Sequence, residues 1–315
     1  MRKFAGAFIA VVFALSLISG CAPASTAVPD DGKIKIVSTI FPPYDFARQI
    51  AGDRADITML LPPASESHSY EPTPQDIIEI QACDVFIYVG GESDTWVSGI
   101  LDAIDTSSMT IVTLMDCVEA LAEEYIEGME VNEQENDGEV EYDEHVWTSP
   151  SNAILITQKI ADALCTSDPN NSDYYNENCS NYVAELNQLD AKFSEIVAGA
   201  KRTTVVFADR FPLRYFTEAY GLSYFAAFPG CTSEIEPSAA TVAFLIDKVS
   251  DENIPVVFYI ELSNQKMADT ICEETGCKKL LFHSCHNVSK EDFESGTTYL
   301  DLMYNNADVL KEALY

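Results

Sequence analysis

One helical stripe constrains this chain more than any other feature. Tyr175, Cys179, Tyr182, Leu186, Leu189, Phe193 and Ile196 recur at spacings of four and three, the period that sets residues on one face of an α-helix. The pattern predicts a single helix over 171–199, roughly 43 Å long at ~1.5 Å per residue. On both sides of it, strand and helix signals alternate. Upstream, strand patterns at 33–38, 57–61, 85–89 and 110–114 are separated by helical ones. Downstream, strand patterns at 203–207, 223–227, 256–260 and 279–282 do the same, and a helix over 298–314 closes the chain. Such alternation predicts parallel sheets flanked by helices. The expected fold class is α/β: two parallel-sheet α/β lobes, 33–170 and 201–315, joined by one long helix over 171–200, with a ligand site in the inter-lobe cleft.

The N-terminus reads as an export signal. Met1-Arg2-Lys3 is basic, and Phe4 to Leu17 is an almost unbroken apolar run, too short to span a bilayer but the size of a signal-peptide core. It ends in Ile18-Ser19-Gly20-Cys21, which resembles the bacterial lipobox. That resemblance implies a lipoprotein signal peptide over 1–20, lipid on Cys21, and a tether over 21–32 rich in Pro, Ser, Thr and Asp. The expected location is extracytoplasmic, anchored to the bacterial cell membrane. No other segment is apolar enough to cross a bilayer.

Net charge and cysteines narrow the class further. A formal charge of −33 repels nucleic acid and anionic lipid headgroups. Much of the acid lies at 119–144, including Glu123, Glu124, Glu127 and Glu130, and reads as a mobile, solvated loop. It serves either as a weak carboxylate antenna for cations or as solvated surface alone. Removing Cys21 from nine cysteines leaves an even number, and disulfides are expected in an exported chain. Cys165 and Cys179 flank a turn between helical patterns, and Cys231 and Cys285 lie in C-terminal loops. Cys272 with Cys277 and Cys83 with Cys117 remain by elimination, and the connectivity stays open.

Only four histidines are present, His68, His145, His283 and His286. Each falls in a loop at the edge of a strand or helix pattern, the region outside strand ends where α/β folds bind ligands. No HExxH or zinc-finger spacing groups them. Periodicity and composition thus reach an exported, two-lobed α/β protein with candidate metal ligands.

The residues around two of these histidines go further. Ser67-His68-Ser69-Tyr70-Glu71-Pro72-Thr73-Pro74-Gln75-Asp76 and Tyr142-Asp143-Glu144-His145-Val146-Trp147-Thr148-Ser149-Pro150-Ser151-Asn152 resemble two motifs of the zinc/manganese solute-binding lipoproteins of ABC importers. Glu236-Pro237-Ser238 and Tyr299-Leu300-Asp301-Leu302-Met303 extend the resemblance. It implies His68 and His145 as the first two metal ligands. The family's third ligand, a His or Glu, precedes a helix ending in Tyr-Gly-Leu, present here as Tyr220-Gly221-Leu222. The preceding residues contain neither. Asp209 takes the role if one residue is inserted; otherwise Arg210 occupies the slot, and a guanidinium cannot ligate a cation. The fourth ligand maps onto His283, with His286 as the fallback. Three imidazoles and one carboxylate favour zinc over manganese. The implied partners are an importer permease and its ATPase, with the binding protein a monomer and not an enzyme. Manganese import, metal-dependent adhesion and zinc hydrolysis are the competing readings.

Overall fold

A computed structural model describes residues 32–66, 69–130, 140–230 and 236–315. The signal peptide, Cys21, His68 and Cys231 lie outside the described residues. In the first lobe, β1 (Ile34–Ser38), β2 (Ala55–Met59), β3 (Val85–Tyr88) and β4 (Thr110–Thr113) alternate with α1 (Phe41–Ala51), α2 (Pro74–Gln81) and α3 (Thr95–Leu101). The strands pair in parallel in the order β2-β1-β3-β4. The helix α4 (Pro150–Ser167) then leads into α5 (Ser172–Ala198). The second lobe contains β5 (Thr204–Phe211), α6 (Arg214–Tyr220), β6 (Ser223–Pro229), α7 (Ala239–Asp251), β7 (Val256–Tyr259), α8 (Lys266–Thr275) and β8 (Lys278–Leu281). Its parallel order is β6-β5-β7-β8. Two more helices, α9 (Lys290–Ser295) and α10 (Tyr299–Leu314), complete the chain. Parallel neighbours need long crossovers, which these helices supply. In each sheet the strand order reverses beside the lobe's first strand, and α/β folds open ligand crevices beyond the carboxyl ends at such points.

The long helix is the spine that the stripe implies. α5 has 27 residues, about 40 Å at 1.5 Å per residue. All seven stripe residues are buried, against α1, α4 and α10. They belong to one core that contains Ile36 and Phe46 from the first lobe and Phe207 and Phe282 from the second. Separate outer cores cover the other sheet faces, around Val37, Ile80 and Phe86 in one lobe and Val206, Leu245 and Ile271 in the other. Strands buried on both faces read as unbroken apolar runs, as in Val85-Phe86-Ile87-Tyr88 and Val256-Val257-Phe258-Tyr259.

Polar ties also join the lobes. Buried Asp45 accepts from Arg48 at 2.6 Å and from the Tyr299 backbone N–H at the start of α10 at 2.7 Å. Burial raises the Asp45 pKa, with Arg48 opposing. Asn287 donates to the Pro62 and Ser65 carbonyls, both at 2.8 Å, and Ala64 N–H donates to Val288 O at 2.8 Å.

Where described, the acidic segment is tied to the fold at several points, while Glu124 and Glu127 stay exposed. Ala122 and Tyr142 form an antiparallel bridge, and Met129 is buried. Glu130 donates its N–H to Ala227 O at 2.8 Å, while its carboxylate accepts from Ser238 N–H at 3.0 Å and Thr241 Oγ1 at 2.7 Å at the start of α7. A carboxylate is favoured there by the unpaired N–H groups and dipole of a helix N-terminus. Glu124 pairs with Arg214 at 3.3 Å. Charge density alone does not reveal such partners.

Candidate metal centre

His145 lies at the start of a short 3-10 turn, Val146–Thr148, and is buried. Asp143, two residues earlier, holds it twice: Asp143 Oδ1 accepts the His145 backbone N–H at 2.8 Å and lies 3.2 Å from Nδ1. Tyr215 Oη donates to the Asp143 carbonyl at 2.8 Å, and Asp143 N–H donates to Leu121 O at 2.9 Å. Behind this pair stands Glu123 of the acidic segment, accepting Gly230 N–H at 2.7 Å. Burial and the adjacent Asp143 push the Glu123 pKa up to about 8. Burial opposes the His145 imidazolium, but Asp143, Glu144 and Glu123 outweigh it and the net shift is upward. Gly230 packs closely here: a Cβ would meet Phe211 O at 3.0 Å and His145 Cε1 at 3.2 Å, so a side chain would push on the His145 ring.

His286 approaches from the second lobe. Its ring lies 5.3 Å from that of His145, centroid to centroid, at 82°, and 4.9 Å from Trp147. Trp147 Nε1 donates to Ser284 O at 2.9 Å, so the indole ties the two loops together. Two imidazoles on one tetrahedral zinc, with Zn–N of about 2.0–2.1 Å, hold their ring centroids about 5.2 Å apart. The observed separation fits that arrangement. Both rings line a small inter-lobe cavity, together with Glu66, Arg210, Glu261 and Asn287. Glu261 anchors the His286 loop: its carboxylate accepts Ser284 N–H at 2.7 Å, the Ser284 hydroxyl, and His286 N–H at 3.1 Å.

The other candidates lie elsewhere. His283 does not line this cavity. Its Nδ1 accepts Cys285 N–H at 2.9 Å, and its backbone exchanges two hydrogen bonds with the Asn306 side chain. Asp209 lines the adjoining cleft rather than the His145–His286 cavity. Its carboxylate accepts Arg210 N–H at 2.9 Å and Ile260 N–H at 3.4 Å, and burial raises its pKa. Successive strand residues face opposite ways, and the β5–β6 register shifts between Phe207 and Arg210. Arg210 is therefore the residue that enters the cavity, paired with Glu66 at 2.8 Å across the lobes. His68 lies outside the described residues, but the segment after it is firmly held. Thr73 and Asp76 form a capping box on α2, and Tyr70 Oη donates to Asp76 at 2.9 Å. Among the described residues, no group of three or more His, Cys, Asp or Glu is placed to hold a metal.

Glu123, Asp143 and Glu261 were not singled out as site residues from the sequence, though Asp143 sits inside the second motif. Backbone strain marks the same region. Among the described residues, Ala64, Leu262, Gln265, Cys285 and Asn253 have positive φ without being glycine. The first four flank the cavity loops, and such strain concentrates at functional sites. Cys285, at φ 63°, turns the chain between His283 and His286.

Two α/β lobes joined by one long helix, with a buried inter-lobe histidine pair, match the architecture of a solute-binding protein. The family described as ZnuA, zinc-uptake complex component A, periplasmic, matches residues 36–313. The chain belongs to that family, whose members are transport binding proteins and not enzymes. It is 31% identical to the high-affinity zinc uptake system protein ZnuA of Bacillus subtilis (strain 168) over 324 residues, 99% of this chain and 98% of that protein. It is 32% identical over 283 residues to the zinc-binding lipoprotein AdcA of Streptococcus pneumoniae, covering 90% of this chain but 56% of AdcA. The crystal structure of the Zn(II)-bound ZnuA-like domain of that AdcA superposes with a TM-score of 0.74 at 30% identity, covering 90% of this chain and 99% of the domain.

Proposed function

We propose that this chain captures a zinc ion outside the cytoplasm and hands it to the permease of an ABC importer driven by its ATPase. The observation that carries the reading is the buried His145–His286 pair, 5.3 Å apart, with Asp143 beside Nδ1 of His145. An Nδ1–H donated to Asp143 leaves Nε2 with the ligating lone pair. The family membership and the names of its zinc-binding relatives support the same conclusion.

The proposed ligands are His68, His145 and His286. His286 replaces His283 in this set because its ring shares the cavity with His145. Asp209 gives way because it does not line that cavity and its carboxylate is engaged by the Arg210 and Ile260 backbone N–H groups. A set of imidazoles favours zinc over manganese, which prefers more oxygen. The lipid on Cys21 and a monomeric state belong to the same proposal. Elemental analysis and a chelator competition titration test it: one zinc per chain is expected, greatly weakened in His145→Ala and His286→Ala. Severe loss in His283→Ala or Asp209→Ala, with His286→Ala unaffected, would restore the other ligand set.

A further inference from the structure

The end of α8 and the start of β8 bring two thiols into contact. Cys272 lies in the last turn of α8, and Gly276, at φ 75°, reverses the chain. Gly276 N–H donates to Cys272 O at 2.9 Å, and Cys277 N–H donates to Thr275 Oγ1 at 3.3 Å. This turn sets the two sulfurs 3.3 Å apart. Three other cysteines lie beside backbone carbonyls instead. Cys83 Sγ lies 3.1 Å from Ile80 O, Cys117 Sγ 3.3 Å from Thr113 O, and Cys165 Sγ 3.7 Å from Ser172 O. Cys83 and Cys117 also belong to different cores.

A disulfide needs an S–S separation of about 2.05 Å, so small side-chain rotations close the Cys272–Cys277 gap. We propose that Cys272 and Cys277 form an intramolecular disulfide in the exported protein. The proposal rests on the extracytoplasmic reading, because thiols stay reduced in the cytosol. The reaction is exchange with a protein disulfide of the exporting compartment. Two S–H bonds break here as one S–S bond forms; the donor's S–S bond breaks and takes up the two electrons and two protons as a dithiol. Zinc capture by the pair is the weaker use of these sulfurs, because a structural zinc takes four ligands and, among the described residues, no group of three or more His, Cys, Asp or Glu is placed to hold a metal.

The bond would clamp a particular junction. Both cysteines border the outer core that holds Met267, Ala268 and Ile271 of α8. β8 runs directly on to the loop of His283 and His286, so the clamp stiffens the base of the segment that presents His286. Its effect belongs to lobe stability, separate from the metal ligands.

The test uses the whole mature chain. Purified protein is equilibrated in oxidised glutathione or in reductant, alkylated under denaturing conditions, and read by intact mass and peptide mapping. The expected result is a species lighter by two hydrogens, with the bond mapped to Cys272–Cys277. Its thermal midpoint should fall by about 2–6 °C in reductant, a response missing from the Cys272→Ser/Cys277→Ser variant, with zinc stoichiometry unchanged in both. Alkylation of both thiols after glutathione oxidation, or pairing of either with another cysteine, would overturn the proposal. A second zinc bound by the reduced chain and lost in the double variant would also overturn it. The same alkylation on protein taken from its native compartment separates the two premises. A bond that forms in glutathione but is missing there would overturn the compartment reading and spare the geometry.

Discussion

Asp143→Asn isolates what the carboxylate behind His145 contributes. Asp143 Oδ1 accepts from the His145 backbone at 2.8 Å and lies 3.2 Å from Nδ1, which fixes both the ring and its tautomer. An asparagine of nearly the same shape can turn its NH₂ toward Nδ1. The proton then sits on Nε2, where the metal should bind. Losing such an outer partner typically costs 10–100-fold in metal affinity, or about 1.4–2.7 kcal/mol. The fold should survive, because the Asp143 backbone bonds to Leu121 and Tyr215 do not involve the side chain. Zinc affinity by competition with a chromophoric chelator, alongside thermal unfolding of the metal-free protein, separates the two effects. An affinity within about twofold of wild type would refute the positioning role. Equal losses of affinity and of metal-free stability would make Asp143 a structural residue instead.

Arg210→His should tighten zinc binding by at least about tenfold, since it removes a cation from the cavity and offers another imidazole; titration with the same chelator reads it. Glu66, whose ion pair with Arg210 is removed, is exposed enough for that loss to be small. Burial, with Glu144 nearby and the Val89 and Gly90 N–H groups opposing, pushes the Asp94 carboxyl from 3.8 up to about 6. The folded state then keeps a proton that the unfolded chain releases. This contribution is fully present below about pH 4 and lost as pH rises through about 6, on the order of 3 kcal/mol. Urea unfolding at pH 4.5 and 7 should show that slope in wild type and a flatter one in Asp94→Asn. Leu189→Ala, in the middle of α5, should cost about 2–5 kcal/mol in urea unfolding without changing zinc stoichiometry. A loss below about 1 kcal/mol would contradict the helix's place in the shared core.

Periodicity made the architecture legible. Seven residues of α5 repeat on one face because that face is buried along its length, and β3 and β7 are apolar throughout because helices cover both sides of each sheet. His145 was legible through its neighbours, since Val146-Trp147 builds the turn that holds it and Trp147 bonds across to Ser284. Which of His283 and His286 shares the cavity with His145 was beyond sequence reasoning because it depends on a left-handed turn at Cys285, a residue type that gives no such signal. Asp209 and Arg210 were separable only through strand alternation and the irregular register of β5. The contacts of the acidic segment were hidden for a related reason. Glu123 and Glu130 look solvated until the N–H donors of Gly230 and Ser238, distant in sequence, are placed beside them.

Crystals of the zinc-loaded protein, measured on both sides of the zinc absorption edge, test the central claim most directly. One anomalous peak is expected in the inter-lobe cavity, about 2.0–2.1 Å from imidazole nitrogens of His68, His145 and His286, with His145 binding through Nε2. A peak coordinated by Asp209 or His283 and remote from the His145–His286 pair would contradict it.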